Sequence, residues 1–247
     1  MKYIIFFQPR SGSSFLSSKL NLDESISYNP GEIFDNYYLF LFDDDLKKNA
    51  DINKLSIFDK KDLLTRFFRK YKQTPYVGCK IAPYQISNDI AGFYQYSITI
   101  VDKLLFLIRD NPVQTAISQM WSLGRFHQHK SANLVDEEEN TLEVFYADPE
   151  VFEYYVITSI IERDTVLSLS KIPKDKLVLT YEDMLKAPEK LFKEVTEFLE
   201  LPESVMLNPG NIRKSRTTHP SKHIKNYDEI VTRVKKMGFD VKLLDEN

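Results

Sequence analysis

Residues Tyr3 to Leu20 read YIIFFQPRSGSSFLSSKL. The apolar run Tyr3-Ile4-Ile5-Phe6-Phe7, bounded by Gln8-Pro9, has the pattern of a strand buried on both faces of a parallel sheet. Arg10-Ser11-Gly12-Ser13-Ser14 follows, and then Phe15 to Leu20 at helical spacing. A strand, a short Ser/Gly loop and a helix together aim several backbone N–H groups and a helix N-terminus at one point, which favours an anion there. Arg10 adds a fixed charge and a fork suited to phosphate or sulfate oxygens. The plain alternative is capping alone, since Gly and Ser are common at strand-to-helix turns. The stretch is neither G-x-x-x-x-G-K-[ST] nor G-x-G-x-x-G: it has one glycine and no lysine after it.

The 247 residues, 43% of them hydrophobic, suffice for one α/β domain with a substantial core, and residues 1–247 are read as one. A formal net charge of −3 excludes a scaffold that binds polyanions with its whole surface, so an anion site must be a local cluster and no nucleic-acid partner is expected. The single cysteine, Cys79, lies in an apolar run and reads as a packed core thiol in a reducing compartment. The apolar run after Lys2 is too short for a signal h-region and lacks a small-residue cleavage site. No stretch approaches the roughly 20 apolar residues of a membrane span, so a cytoplasmic location without a membrane partner is expected.

Further along, Ser25 to Tyr28 reads as a short second strand and Pro30-Gly31 as a turn. Glu32 reads as the opening of an aromatic-rich helix from Ile33 to Phe42. A glutamate there serves the helix dipole or, alternatively, acts as a general base. Asp43 to Ile57 is an acidic, solvated stretch without the alternating spacing of a calcium loop. Lys60 to Tyr71 is amphipathic at helical spacing. Pro75 to Ile81 reads as a strand with Lys80 near its carboxyl end, where ligands bind in open α/β sheets. Such a lysine contacts an anion or snorkels into water.

Lys103 to Ile108 is a third strand and ends at Arg109-Asp110-Asn111-Pro112. A helix from Val113 to Gly124 follows, capped by Asp110 or Asn111, with Ala116, Ile117, Met120 and Trp121 toward the core. The spacing predicts that this helix stops at Gly124. Arg109 reads as one member of a surface pair and Ser118 as a packed small polar group. Gly124-Arg125-Phe126-His127-Gln128-His129-Lys130 collects cations beside an aromatic ring; its i, i+2 histidines share no helix face, which argues against a metal. Ala132 to Thr141 is an acidic loop. Pro149 to Leu169 is the longest helical pattern, Leu177 to Tyr181 a fourth strand, and Ala187 to Leu199 another helix. Arg213-Lys214-Ser215-Arg216 concentrates cations in a loop before a final helix, Tyr227 to Met237. Strands alternating with helices predict a three-layer α/β/α fold of P-loop-like type, with a central, mostly parallel sheet of four to five strands. Arg10, Lys80 and Arg109 would then share the carboxyl edge.

These residues resemble the PAPS-dependent sulfotransferases, which use 3′-phosphoadenosine 5′-phosphosulfate as donor. Pro9-Arg10-Ser11-Gly12-Ser13-Ser14 resembles their 5′-phosphosulfate loop. Arg109-Asp110-Asn111-Pro112 with Ser118 resembles their 3′-phosphate strand and helix, Tyr181-Glu182-Asp183-Met184 a recurrent Y-E-D-(L/M), and Arg213-Lys214-Ser215 their C-terminal loop. Gly31-Glu32-Ile33-Phe34, Gly78-Cys79-Lys80, Ala116-Ile117-Ser118 and Gly124-Arg125-Phe126-His127 are similar to a bacterial branch that includes trehalose 2-sulfotransferase.

The resemblance implies a transfer of the sulfuryl group from PAPS to a hydroxyl of a small molecule, a carbohydrate among the classes. Arg10, Glu32 and Lys80 would be catalytic, with Glu32 as base. Arg10, Ser11, Gly12, Ser13, Ser14, Arg109, Ser118, Arg213 and Lys214 would bind the nucleotide, and Glu32 and His127 would meet the acceptor. It implies no metal and allows a homodimer. Three departures stand in the sequence: the Arg109 to Ser118 spacing is one residue longer than in the animal cytosolic enzymes, Lys80-Ile81-Ala82 replaces their K-T-H, and Ser215 replaces the glycine of the third loop. A P-loop nucleotide kinase and an inactive nucleotide-binding homologue are the competing readings.

Overall fold

The computed structural model describes residues 1–22, 25–34, 55–129, 134–135, 144–202, 212–213 and 219–245, with the backbone alone for 124–129, 134–135 and 212–213. Five strands, β1 (Lys2–Phe7), β2 (Ser27–Tyr28), β3 (Tyr76–Ile81), β4 (Lys103–Ile108) and β6 (Lys176–Thr180), form one sheet in the order β2-β3-β1-β4-β6. Every pairing in it is parallel. The sheet therefore has the predicted architecture. β1 and β4 are apolar runs seen in the sequence, β3 is one broken only by Gly78 and Lys80, and they sit at its centre because only a strand covered on both faces can be so largely apolar.

Alternation along β1 divides the core. Ile4 and Phe6 face α2 (Ile57–Lys70), α3 (Ile90–Ile100) and the lower half of α5 (Pro149–Leu169). Tyr3, Ile5 and Phe7 face α1 (Ser13–Leu20) and α7 (Pro188–Phe198). A third cluster joins α4 (Pro112–His129) to the upper half of α5 and to α8 (Tyr227–Lys236). Cys79 is fully buried and burial pushes its thiol well up, so it is the core thiol expected. Gly78 has a packing reason: a Cβ there would collide with the Tyr3 ring, whose hydroxyl accepts from Asn29 Nδ2 at 3.1 Å. No helix among the described residues is long and apolar enough to cross a membrane.

Three expectations change. α4 does not stop at Gly124 but continues to His129. One interior glycine costs a helix about 1 kcal/mol, which the helix-compatible residues after it outweigh. Glu32 does not open a helix. Asn29 Oδ1 accepts from Gly31 N at 3.1 Å, Gly31 takes a φ of 97°, and its carbonyl accepts from Lys80 N at 2.9 Å. Glu32 consequently lies in a parallel bridge beside Lys80, and Ile33 and Phe34 turn inward. The rest of the expected helix, and most of the acidic stretch from Asp43 to Ile57, lie outside the described residues. Tyr181 opens α6 (Tyr181–Lys186) instead of ending β6, because Thr180 caps that helix by accepting from Asp183 N. Within the acidic loop, β5 (Leu134–Val135) pairs antiparallel with β7 (Ile212–Arg213).

Candidate active site

The chain leaves β1 through a turn that holds two residues in the left-handed region, Arg10 at φ 64° and Gly12 at φ 83°. At Gly12 a side chain would also collide with Met184 and Tyr181. For Arg10 this conformation costs about 1–2 kcal/mol. The turn closes with Ser11 N donating to the Gln8 carbonyl at 3.2 Å, and α1 begins at Ser13 with no side chain capping it. Its first N–H groups therefore point out of the turn at the carboxyl edge of the sheet.

Gln8 anchors this edge. Fully buried, it accepts from Arg109 N at 2.8 Å through Oε1 and donates to the Ser159 carbonyl at 3.0 Å through Nε2. Arg109 thus leaves β4 directly beside the β1 turn. Arg109 is 6% exposed, not part of the surface pair expected, and its guanidinium lies 4.3 Å from the centre of the Tyr181 ring. Asn111 caps α4 through Gln114 N, while Glu182 accepts from the N–H groups of Asp110 and Asn111.

Arg10 is half-buried, and its Nε donates to Ser118 Oγ at 3.2 Å. Burial, and then the charge of Arg109, bring its guanidinium down to about 10. Burial lowers Arg109 as well, with Tyr181 and Glu182 opposing. Two guanidinium groups, both lowered by burial and one of them further lowered by the other, are therefore held at one place. Among the described residues, Ser11 Oγ and Arg109 Nε are buried with no hydrogen-bond partner. Unmet buried donors of this kind cost about 1–3 kcal/mol each, and a bound anion would meet them.

Lys80 supplies the third cation. It is 4% exposed, with Nζ 2.7 Å from Ser14 Oγ, 3.4 Å from Ser13 Oγ and 3.2 Å from Glu32 Oε1. The Phe7 ring lies 5.0 Å beneath it. Glu32 Oε2 accepts from Gln85 Nε2 at 2.9 Å and from the Tyr84 hydroxyl at 3.4 Å. Lys80 is thus the link between the Glu32 carboxylate and the loop.

Arg10, Ser11, Gly12, Ser13, Ser14, Glu32, Lys80, Arg109 and Ser118 accordingly come together. The side chains of His127 and Arg213, and all of Lys214, lie outside the described residues. Sequence reading missed Gln8, Tyr84 and Gln85, and assigned no role to Tyr181 and Glu182. For the last two the Y-E-D pattern was the available signal; for Gln8, its place at the end of a buried strand.

No protein-family model and no curated protein matches the chain. Solved structures do. A sulfotransferase domain from the curacin biosynthetic pathway aligns over 96% of this chain and 97% of its own, at 15% identity and a TM-score of 0.50. A sulfotransferase from Mycobacterium avium aligns over 96% and 76%, at 12% identity and a TM-score of 0.48. A mouse sulfotransferase complexed with PAP aligns over 99% and 88%, at 14% identity and a TM-score of 0.45. At 15% identity the likeness to the curacin-pathway domain is one of fold, and the fold of this chain is that of a sulfotransferase domain.

Proposed function

We propose that residues 1–247 form one cytoplasmic, PAPS-dependent sulfotransferase domain acting on a hydroxyl of a small molecule. The trehalose 2-sulfotransferase-like motifs, with Glu32 and Lys80 side by side, favour a carbohydrate. One observation carries the reading: two guanidinium groups lowered by burial, with Arg109 lowering Arg10 further, and two unmet buried donors converge on the turn after β1. Such a place is incomplete without a polyanion.

In the proposed reaction the acceptor oxygen attacks the sulfur of PAPS in line. The bond from sulfur to the 5′-phosphate oxygen breaks as the new sulfur–oxygen bond forms. The acceptor proton passes to Glu32, and PAP leaves with the electron pair. Charge builds on the leaving phosphate, as in phosphoryl transfer, so the protein's work is positioning and charge stabilisation. Arg10 and the N–H groups of Ser11 to Ser14 meet the 5′-phosphate. Lys80 covers the transferring sulfonate in this scheme, supported by its hydrogen-bond reach to both Ser14 and Glu32. Arg109, Ser118, Arg213 and Lys214 select the 3′-phosphate. Ser118 accepts from Arg10 and keeps its own O–H to donate. Guanidinium and ammonium groups carry the charge stabilisation, and His127 is an acceptor contact.

Thermal unfolding with PAP, with ATP and with neither tests the nucleotide. At 100 times the Kd, PAP should add about 2.7 kcal/mol of stability. A shift with ATP equal to that with PAP would remove the 3′-phosphate from the proposal. Labelled PAPS offered to a panel of sugars and alcohols then identifies the acceptor.

A further inference from the structure

Both oxygens of Glu32 are held from outside the nucleotide loop. Lys80 occupies Oε1, while Gln85 and Tyr84 share Oε2. Lys80 belongs to β3, whereas Tyr84 and Gln85 stand in a short 3₁₀ turn, Pro83–Ile86, that no motif marks. Gln85 is itself fixed at both of its oxygens. Its Oε1 accepts from Ala82 N at 2.9 Å. Its main-chain carbonyl accepts from Lys60 Nζ at 2.6 Å, a buried lysine on α2. Its Nε2 is left to face Glu32.

We infer that Gln85 is a positioning residue for the proton-accepting carboxylate, locked in place from behind by Lys60. The inference rests on the proposed sulfotransferase reading with Glu32 as base. A carboxylate offers about four lone-pair sites. Among the described residues Lys80, Gln85 and Tyr84 take three, and the fourth would serve the acceptor hydroxyl. Without Gln85, the carboxylate is free to rotate both oxygens onto the Lys80 ammonium, which would withdraw the base from the acceptor and Lys80 from the sulfonate. A misplacement of about 1 Å at a reacting group costs up to roughly 100-fold in rate.

The bland account is that Gln85 merely caps its own turn. Gln85→Glu separates the two, because a glutamate keeps the shape and the acceptor for Ala82 N but replaces the donor facing Glu32 with a like charge. Besides Tyr84, the charged groups around Glu32 among the described residues are Lys80 on β3 and Arg10 on the β1 turn.

The experiment measures kcat, KM and the pH profile with PAPS and an acceptor found by the labelled screen, together with the PAP thermal shift. Gln85→Glu is expected to lower kcat roughly 10–100-fold with the PAP shift intact. It should also move the acid limb of kcat/KM to higher pH, since a second carboxylate favours the protonated form of the first. Tyr84→Phe should lower kcat by less than about 3-fold, as its contact is the longest. Should Gln85→Glu not melt cooperatively, Gln85→Met is read on the acid limb alone, which should again move to higher pH because the carboxylate loses a donor that favours its charged form; an unmoved limb would overturn the positioning role. Wild-type kcat and an unmoved acid limb in Gln85→Glu, with Glu32→Gln inactive, would overturn the positioning role alone. Full turnover in Glu32→Gln would remove the base, and the positioning role with it.

Discussion

The two halves of the site handle charge in opposite ways. On the side of β1 and β4, Arg10 and Arg109 stand close, each lowered chiefly by burial, and donors beside them go unmet. Among the described residues, the Tyr181 ring, Glu182 and, for Arg10, Glu32 offset this in part. On the side of β3, Lys80 and Glu32 form an opposite-charge pair, and Ser13, Ser14, Gln85 and Tyr84 satisfy its remaining groups. The fold leaves charge uncompensated where a ligand would bring the missing sign. It completes the hydrogen bonding where its own group would act on a ligand. The first half should therefore be gained on binding, and the second should be present beforehand.

The largest effect expected is in turnover. Glu32→Gln should lower kcat by about 10²–10⁴-fold while the PAP-induced thermal shift persists, because general-base catalysis is of that size and the nucleotide half is untouched. A fall in PAP affinity of similar size would dissolve the division between the halves.

Next comes the stability of the nucleotide-free protein. Lys80→Met strands the largely buried Glu32 and should destabilise by about 1–3 kcal/mol in urea unfolding. Arg109→Met removes an ill-compensated cation, so the nucleotide-free protein should be as stable as the wild type or more so. Its affinity for PAP should fall roughly 10–100-fold, the value of one charged hydrogen bond. Equal losses of stability in the two variants would break the contrast.

The smallest effect sharpens it with a carboxyl. Glu162 lies on α5 between the buried Ser159 and Val166, and burial pushes it from its ordinary 4.5 up to about 7. The folded state then binds more protons than the unfolded between those values, and stability falls as pH rises through that window. Glu162→Gln should change stability little near pH 4.5 and add about 1–2 kcal/mol at pH 8, after allowance for its partial exposure. A gain that does not grow with pH would show that burial is not what perturbs this carboxyl.

Much of this was open to reading from local pattern. β1 and β4, and β3 despite Gly78 and Lys80 within it, were legible because short apolar runs bounded by Pro or charge have few other uses. α5 was legible to its ends because Asp148 caps it by accepting from Glu150 N and Val151 N just before Pro149. The gathering of Arg10, Lys80 and Arg109 followed from parallel topology, which sends every strand's carboxyl end to one edge. The continuation of α4 past Gly124 was not legible, because a glycine ends a helix only where the following chain has a better partner elsewhere. Nor was the burial of Arg109, which depends on Gln8 and Tyr181 closing around it.

The sequence by itself determined the layers, the central strands and the edge at which the cations meet, since these follow from hydrophobic period and strand direction. Tertiary structure alone decided which polar group meets which. Gln85 reaches Glu32 across 53 positions and Arg10 reaches Ser118 across 108. No local spacing encodes such a meeting; it exists because packing the sheet and its helices brings those side chains within hydrogen-bond distance, where burial forbids leaving them unpaired.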